Sequence, residues 1–311
     1  MKMHWRRIAC LFAILYSAPF LGCGGGGGGG GGGGTDAGPT SEPQNRFYVI
    51  GTVKLPSMPE GGNRAPGVDL DNKVTSTANA NAPNCTDRHQ DYVNDRSEMG
   101  VDNQLVGTLL GLIRGVASNF DAEMEIRNRI ASGDLLIGVH VKDINSFQSD
   151  DSVKVDVFLV DAASCNMSPC PPMGGMVQAN QMWKRRMGTM AFASDVSGKI
   201  QGGALTAGPL NLPLSFSFMR EGMMINIRLT IQNAKLVADI SENGLMRGNL
   251  GGGVSIMEIL QIAEMIMPGS SGIVEGPLRD NADLDPDPSN MGNCRAVSAG
   301  IGFSAVSGTL Q

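Results

Sequence analysis

Aromatic residues and histidine are scarce in this 311-residue sequence, and each shortage narrows the range of functions. Aromatic residues make up 5% of the chain, and of its 3 histidines only His89 and His140 lie beyond the first few residues. The Gly-x-Ser-x-Gly, His-Glu-x-x-His and phosphate-loop motifs of common enzyme centres are also missing. These absences predict a domain that binds and does not catalyse. A hydrolase with two carboxylates distant in sequence is the remaining enzymatic alternative.

The first 22 residues lack acidic side chains and are typical of a secretory signal peptide. Lys2, Arg6 and Arg7 are basic, and residues 8–21 form an apolar stretch without charge. A helix that spans a bilayer needs about 20 apolar residues, so this stretch is short for that role. A basic start followed by a short apolar run predicts that residues 1–22 are a signal peptide.

The end of this stretch carries a family resemblance. Phe20-Leu21-Gly22-Cys23 resembles the lipobox of bacterial lipoprotein precursors. The resemblance implies cleavage after Gly22, a diacylglycerol on the sulfur of Cys23, and an acyl chain such as palmitate on its new amino group. Gly24 follows the cysteine where an aspartate would favour the inner membrane, which implies sorting to the outer membrane. The expected location is the cell envelope, with a membrane as the partner of Cys23.

A glycine tract separates the anchor from the rest of the chain. Residues 24–34 are consecutive glycines, and residues 35–45 are polar. Neither part can bury enough apolar surface to fold, so residues 23–45 are predicted to be a flexible tether that spans roughly 25 Å. Residues 46–311 suffice for one globular domain. The net charge of −6 becomes more negative without the three basic residues of the signal peptide, which disfavours nucleic acid as a partner.

The cysteines of the domain predict two disulfides in an oxidising compartment. Cys85, Cys165, Cys170 and Cys294 remain beyond the anchor, and four cysteines allow three pairings. Cys165 and Cys170 flank the turn-like sequence Asn-Met-Ser-Pro, so a local bridge between them is the easiest closure. That choice leaves Cys85 with Cys294, a bridge that would tie the beginning of the domain to its end.

Period-two alternation of apolar residues dominates the domain and predicts strands. The alternating runs lie at residues 47–55, 135–141, 153–159, 187–193, 199–205, 214–218, 225–240 and 297–305. Helical spacing predicts helices over residues 121–132 and 256–267, the second opened by a Ser255-x-x-Glu258 capping box. The predicted fold class is mainly β (α+β), an antiparallel β sandwich or open barrel with two or three packed helices.

One short motif in the domain carries a second resemblance. Gly100-Val-Asp-Asn-Gln-Leu105 is similar to a sequence in an uncharacterised exported bacterial protein family. The similarity implies no activity and no site residues. Its physical interpretation is a helix start, with Asp102 or Asn103 as the N-cap of a helix through Ile113.

Two acidic regions suggest a structural calcium ion. Asp283, Asp285 and Asp287 place carboxylates at alternate positions, and hard oxygen ligands of this kind suit Ca²⁺. A solvated acidic loop is the alternative. A second acidic region runs from Asp69 to Asp102. If Cys85 pairs with Cys294, the two regions meet, and repulsion between them favours either a bound cation or a separation in water.

A methionine cluster lies at Met167, Met173, Met176, Met182, Met187 and Met190. Thioether sulfur can bind Cu(I), but the spacing is uneven and no histidine lies nearby. Methionine also fills irregular gaps and forms adaptable surfaces, and this interpretation is favoured.

The sequence therefore predicts an exported, lipid-anchored domain that acts by binding or as an envelope component. The first alternative is a carrier that holds a lipid or another apolar ligand in the mouth of the β domain. The small residues at 248–253 and 298–304 would either line such a concavity or allow close packing. A hydrolase without a recognisable motif is the second alternative.

Overall fold

The computed structural model describes residues 42–55, 63–77, 80, 83–104, 121–220 and 223–311. The predicted signal peptide, the anchor Cys23, most of the tether and the predicted helix as far as Ile113 lie outside the described residues. Ser41–Gln311 form one compact unit. Among the described residues, no helix has both the length and the apolar character to cross a membrane.

Strands make up most of the regular structure in the described part of the chain. They are β1 (Gln44–Lys54), β2 (Ile137–Ile144), β3 (Ser149–Ala162), β4 (Gln181–Arg185), β5 (Ala193–Gln201), β6 (Ala204–Arg220), β7 (Met223–Ser241), β8 (Gly244–Ser255), β9 (Leu284–Asp287) and β10 (Asn290–Leu310). The described helices are α1 (Ala122–Ser132), α2 (Ile256–Ile266) and α3 (Ser271–Asp280). The prediction of a mainly β, α+β fold is confirmed.

Eight of the strands pair in a closed antiparallel circuit. The order is β1, β2, β3, β5, β6, β7, β8 and β10, and β10 pairs again with β1. Because each of these strands has hydrogen-bonded neighbours on both sides, the circuit is a closed barrel and has no free edge. β4 lies outside the circuit and bridges the ends of β3 and β10, while β9 pairs with the beginning of β10.

The alternation predicted from the sequence divides the side chains of the strands between two apolar clusters. In β1, Tyr48 and Ile50 belong to the main cluster, whereas Phe47 and Val49 belong to a second cluster. Tyr48 is fully buried, and its hydroxyl donates to the Ser241 carbonyl oxygen over 2.8 Å. The main cluster fills the interior of the circuit, since it includes alternate residues of all eight strands.

The second cluster lies on the outer face of β1, β2 and β3. α1 contributes Ile126 and Ile130, and β4 contributes the fully buried Trp183. Asp121 caps α1 by accepting a hydrogen bond from the Met124 amide over 3.0 Å, and the helix lies where the sequence predicts one. α1 ends at Gly133, whose φ of 89° is the left-handed conformation that glycine adopts readily.

α2 and α3 pack their apolar faces against the main cluster. α2 contacts β7, β8 and β10, and it buries Ile256, Ile259, Ile262 and Ile266 at helical spacing. No helix was predicted from the sequence at α3, which contains Pro277. It forms nevertheless, since Val274 and Leu278 lie one turn apart and are both buried.

A long segment covers the outer face of β8 and β10. Its described residues form no extended strand and no helix longer than one turn. We call residues 63–77 and 83–104 the strap. Glycine allows its close approach: a Cβ on Gly251 would lie 2.8 Å from the Val68 side chain, and one on Gly300 would clash with the Pro66 carbonyl. The small residues at 248–253 and 298–304 therefore allow close packing of the strap at these positions.

Two disulfides form, one between residues distant in sequence and one between residues close in sequence. Cys85 of the strap pairs with Cys294 of β10, with a Cα–Cα distance of 5.6 Å. Cys165 pairs with Cys170 in the loop before β4, with a Cα–Cα distance of 6.2 Å. These are the pairings that the sequence favours, and the first one holds the strap against the barrel.

Candidate cation site on the strap

The strap is held in shape by side chains that bind the backbone. Asn94 is fully buried, and its Oδ1 accepts hydrogen bonds from the Arg96 and Glu98 amides, both at 3.0 Å. Its Nδ2 donates to the Gly67 carbonyl oxygen over 3.1 Å. Asn249 of β8 accepts from the Gly67 amide over 3.0 Å. Such contacts replace the missing backbone ladder, because buried amides and carbonyls need partners.

The acidic residues of the strap are oriented in the same way. Asp69 Oδ1 accepts a hydrogen bond from the Asn72 amide over 2.6 Å, and Asp71 Oδ1 accepts from the Lys73 amide over 2.9 Å. Asp102 Oδ2 accepts from the Leu70 amide over 2.7 Å. One oxygen of each carboxylate is engaged by these bonds, and the three bonds fold the strap around the carboxylates.

Asp69, Asp71 and Asp102 form a cluster that we call the carboxylate triad. One carboxylate oxygen from each lies within 4.8 Å of the others, and Asp102 is buried while the other two are half-buried. Within the part of the chain that the structure describes, none of the three carboxylates forms an ion pair with lysine or arginine. Lys73 pairs with Asp87 over 2.7 Å, and Lys235 Nζ donates to the backbone oxygen of Asp69.

Gly100 closes the strap against the triad. Its φ is 77°, and a Cβ there would lie 2.5 Å from the Lys73 carbonyl oxygen and 3.3 Å from Asp69 Oδ2. A larger residue would therefore be strained and would push the acidic turn away. The carbonyl of Lys73 thus lies close to the triad, on the side where Gly100 leaves room.

Burial and mutual repulsion shift the protonation of this region. Burial raises the pKa of Asp102 to about 8, and the neighbouring charges of Asp283, Asp71 and Asp91 add to the increase. Burial raises the pKa of Asp91 to about 6, with Asp71 and Asp69 contributing. Burial and Asp69 also raise the pKa of Asp71. The charged forms of these groups require a compensating partner, either a proton or a cation.

The three carboxylates that the sequence offered as calcium ligands have separate partners. Asp283 is buried and accepts hydrogen bonds from the Ser298 amide and hydroxyl, at 2.7 and 2.5 Å. Asp285 pairs with Arg295 over 2.8 Å. Asp287 accepts from the Ser289 amide over 2.9 Å and from its hydroxyl over 2.7 Å.

The alternate spacing of these aspartates does not bring them together, because the backbone changes direction between them. Asp285 has a φ of 57°, which interrupts the extended conformation that would place alternate residues on one side. Among the described residues, the triad and not this trio brings three acidic ligand atoms within 4.8 Å. Asp283 alone reaches the acidic region, where burial raises its pKa to about 7.

A cleft of about 700 Å³ lies beside the triad. Leu70, whose amide binds Asp102, lines it from the strap, and the beginning of α2 lines it at Ile256. Arg279 and Arg295 contribute basic groups, which pair with Glu275 and Asp285. The lining of the cleft therefore combines apolar side chains with paired charged groups, and Leu70 connects it to the triad.

The two histidines of the domain have structural contacts. His140 lies half-buried on β2, with its Nδ1 3.9 Å from Asp156 Oδ2, and burial lowers its pKa. His89 Nε2 lies 2.7 Å from the Asp280 carbonyl oxygen. These contacts hold the strap and β2 in place, and neither ring is paired with a serine or cysteine nucleophile in the contacts of the described residues.

Sequence reasoning found the acidic region but not the residues that meet. Two features of the sequence could have indicated the site. One is the pair Asp69-x-Asp71, and the other is Gly100 and Asp102 in the motif that was interpreted as a helix start. Asp102 does not cap a helix with the described residues, because its carboxylate binds the Leu70 amide and residues 102–104 are not helical. Asn103 likewise donates to the Pro66 and Gly300 carbonyl oxygens. Asp102 and Asn103 therefore contribute to the packing of the strap against β10 and not to the start of a helix.

Closed antiparallel circuits of this kind support many unrelated functions, so the fold by itself names none. The contacts of the strap and of the carboxylate triad therefore carry the functional argument. The chain matches no protein-family model, no curated protein and no solved structure.

Proposed function

We propose that this chain is an exported lipoprotein, anchored by lipid on Cys23 at the outer membrane, whose domain acts by binding or as an envelope component. The observation that carries this proposal is Cys23 itself, which stands between a charge-free apolar stretch and eleven glycines. Two cystines in the domain suit an oxidising compartment. The outer membrane is proposed from Gly24 alone.

Metabolic labelling with an alkyne analogue of palmitate tests the anchor. The expected result is a labelled chain in the membrane fraction that loses the label when Cys23→Ser is introduced. A Cys10→Ser variant is the matched control and should keep the label, because Cys10 leaves with the signal peptide. An unlabelled, full-length chain in the soluble interior of the cell would overturn the proposal.

A non-catalytic role is proposed because the two histidines of the domain have structural partners. His89 binds a backbone carbonyl, and His140 lies beside Asp156. Catalysis by a carboxylate or an imidazole requires a group aimed at a substrate. Activity profiling with hydrolase substrates tests this point, and turnover that survives purification to homogeneity would contradict it.

We further propose that the carboxylate triad binds Ca²⁺ as a structural ion. The predicted calcium is thereby moved from Asp283, Asp285 and Asp287 to Asp69, Asp71 and Asp102. Calcium takes six to eight oxygen ligands, which include carboxylates, backbone carbonyls and water. Three carboxylates lie within 4.8 Å of one another, and none of them forms an ion pair with lysine or arginine among the described residues. A cation would remove their repulsion and fix the strap.

Thermal unfolding in Ca²⁺ and in chelator tests the calcium site. The wild-type chain is expected to unfold at a higher temperature in Ca²⁺, because the ion binds only the folded state. Asp69→Asn with Asp71→Asn should abolish the difference. Asp285→Asn with Asp287→Asn is the matched control and should retain it. Equal midpoints for the wild-type chain with and without Ca²⁺ would overturn the calcium proposal while leaving the lipid anchor intact.

The cleft supports a second candidate function, a carrier of an apolar or lipid-like ligand. Its volume of about 700 Å³ lies within the range of small-ligand sites. Leu70, Leu284 and Ile256 provide apolar contacts, and Arg279 and Arg295 lie in the wall. Native mass spectrometry of chain purified without detergent should then show an added mass. A chain with only its covalent mass would contradict the carrier function.

A further inference from the structure

Several long stretches of this acidic chain contain no acidic residue, and one of them also concentrates basic residues and methionines. Between Asp161 and Asp195 the sequence has no aspartate or glutamate, although the whole chain has 30 acidic residues among 311. The same stretch contains Lys184, Arg185 and Arg186 and six methionines. Its charge is therefore opposite to that of the chain as a whole.

The methionines of this stretch are exposed. We call residues 163–190 the basic methionine segment. The exposed fractions are 66% for Met167, 64% for Met173, 64% for Met176, 56% for Met182, 88% for Met187 and 88% for Met190. Single apolar residues on a surface need no explanation, but six within one basic segment indicate an apolar surface available for contact.

The segment is held in a defined shape beneath these side chains. The Cys165–Cys170 disulfide closes its first loop, and Lys184 Nζ donates to the Cys165 carbonyl oxygen over 2.6 Å. Arg186 pairs with the buried Asp161 over 3.0 Å. Trp183 is fully buried below. The methionines therefore project from a fixed surface, and Arg185, which is exposed, lies over the Phe158 ring at 5.2 Å.

The tether joins the domain next to this segment. Gly308 of β10 pairs with Phe47 of β1 on one side and with Gln181 of β4 on the other. Phe47 and Gln181 are thus two strand positions apart, and β1 begins only three residues before Phe47. Cys23 lies about 20 residues before β1 in the sequence, and the flexible tether predicted there would have a mean span of roughly 25 Å. A domain tethered in this way can lay the segment on the bilayer.

We propose that the basic methionine segment docks on the surface of the bilayer that carries the anchor. Its methionine side chains enter the boundary between headgroups and acyl chains, while Arg185, an exposed basic residue of the segment, faces anionic phospholipid. Apolar side chains combined with basic residues favour such interfacial binding. The inference rests on the proposed lipid anchor, which fixes the membrane as the nearest partner. The acidic remainder of the domain is repelled by the same surface and orients away from it.

Vesicle sedimentation tests the docking without the lipid. The probe is the chain from residue 23 onward with Cys23→Ser, mixed with phosphatidylcholine vesicles with and without phosphatidylglycerol. We expect sedimentation that increases with the anionic lipid and falls at least three-fold in Arg185→Gln with Met187→Gln and Met190→Gln. The matched control replaces Arg127, Met246 and Met265 by glutamine, all exposed residues outside the segment, and should sediment like the parent.

Failure of docking and failure of the anchor are distinguishable, because this probe carries no lipid. Absence of sedimentation, or equal losses in the two triple variants, overturns the docking surface even if palmitate labels Cys23. A second measurement uses the lipidated chain in phosphatidylglycerol vesicles. Peroxide should oxidise the six segment methionines at least three-fold more slowly than Met99, Met246 and Met291, and equal rates would also overturn the proposal. Docking on a protein partner would leave pure vesicles unbound.

Discussion

The barrel wall and the strap bury side chains by different means. The wall consists of paired strands whose backbone groups bind each other, and its interior holds apolar side chains such as Leu236 and Leu245. The strap has almost no ladder, and beside apolar residues such as Val68 and Val101 it buries polar ones, among them Asn94, Asp102 and Asn103. Each of those polar side chains binds a backbone group of the strap.

The difference shows where specific chemistry can arise in this fold. An apolar wall is stabilised by the apolar surface area that it buries. Such burial tolerates changes in the detailed packing of side chains and provides no charged groups. A strap stabilised by polar contacts brings carboxylates close to the core, where burial changes their pKa values. The carboxylate triad therefore lies on the strap and the cleft lies at its border, whereas the interior of the barrel contributes packing.

The largest test of this comparison removes the disulfides separately. The Cys85–Cys294 bridge spans 209 residues and the Cys165–Cys170 bridge spans 5. Chain-entropy reasoning assigns a loss of about 5 kcal/mol to the first and about 2 kcal/mol to the second. Denaturant unfolding of Cys85→Ala with Cys294→Ala, and of Cys165→Ala with Cys170→Ala, measures both. Equal losses would mean that the strap is held to the wall without its bridge.

A smaller effect is expected from pH in the presence of chelator. The folded-state pKa values of Asp91, Asp283 and Asp102 are about 6, 7 and 8, all above the usual range for aspartate. Protonation therefore stabilises the fold, fully below about pH 4, and this contribution is lost as pH rises through those values. The free energy of unfolding should fall between pH 5 and pH 8, because each group that is protonated only in the folded state contributes a slope of about 1.4 kcal/mol per pH unit.

Two controls sharpen the pH prediction. Asp102→Asn should remove about half of the fall, whereas Asp285→Asn should keep all of it, because Asp285 is exposed and paired with Arg295. Calcium should also flatten the curve, since the ion replaces the proton on the triad. A stability that stays level or rises from pH 5 to pH 8 in chelator would contradict the electrostatic description of the strap.

A third prediction compares one residue from each region. Leu245→Ala in the wall should cost about 3 kcal/mol, because it leaves a cavity among packed side chains. Asn94→Ala in the strap should cost about 2 kcal/mol, because buried backbone groups of Gly67, Arg96 and Glu98 lose a partner. Hydrogen exchange separates the two: the first change should raise exchange throughout the barrel, and the second mainly in the strap. Identical exchange patterns would show that strap and wall unfold together.

The sequence predicts the wall well because its pattern is periodic. Residues 225–240 alternate as expected, apart from a change of phase beside Asn233, whose φ of 51° accompanies a shift in strand register. Residues 199–205 were wrongly predicted as one strand. They contain a turn at Gly202 and Gly203, both with positive φ, which joins β5 to β6. The run at residues 187–193 is also wrong, since β4 ends before it and β5 begins at Ala193.

The strap and its site were harder to predict, because polar contacts between distant residues leave no periodic signal. Asp102 and Leu70 are 32 positions apart, and Asp283 and Ser298 are 15 apart. The acidic composition of the strap was visible, and so was the pairing of Cys85 with Cys294 by elimination. Which carboxylates meet depends on turns at Gly100 and Asp285 that alternate spacing does not reveal.

The smallest effect concerns two helix starts that look alike in sequence. Asp121 accepts a hydrogen bond from the Met124 amide, whereas Ser255 makes no side-chain cap bond at the start of α2. The predicted capping box at Ser255 is therefore wrong, because Glu258 Oε1 accepts from the Thr230 amide of β7 over 3.0 Å. Glu258 therefore bonds to the barrel wall and not to the backbone at the start of its own helix. Asp121→Ala should thus cost about 1 kcal/mol, the usual value of an N-cap, and Ser255→Ala only a few tenths. Denaturant midpoints of the two variants provide the measurement, and a larger loss for Ser255→Ala would restore the local cap and weaken the claim that contacts to the barrel override local patterns.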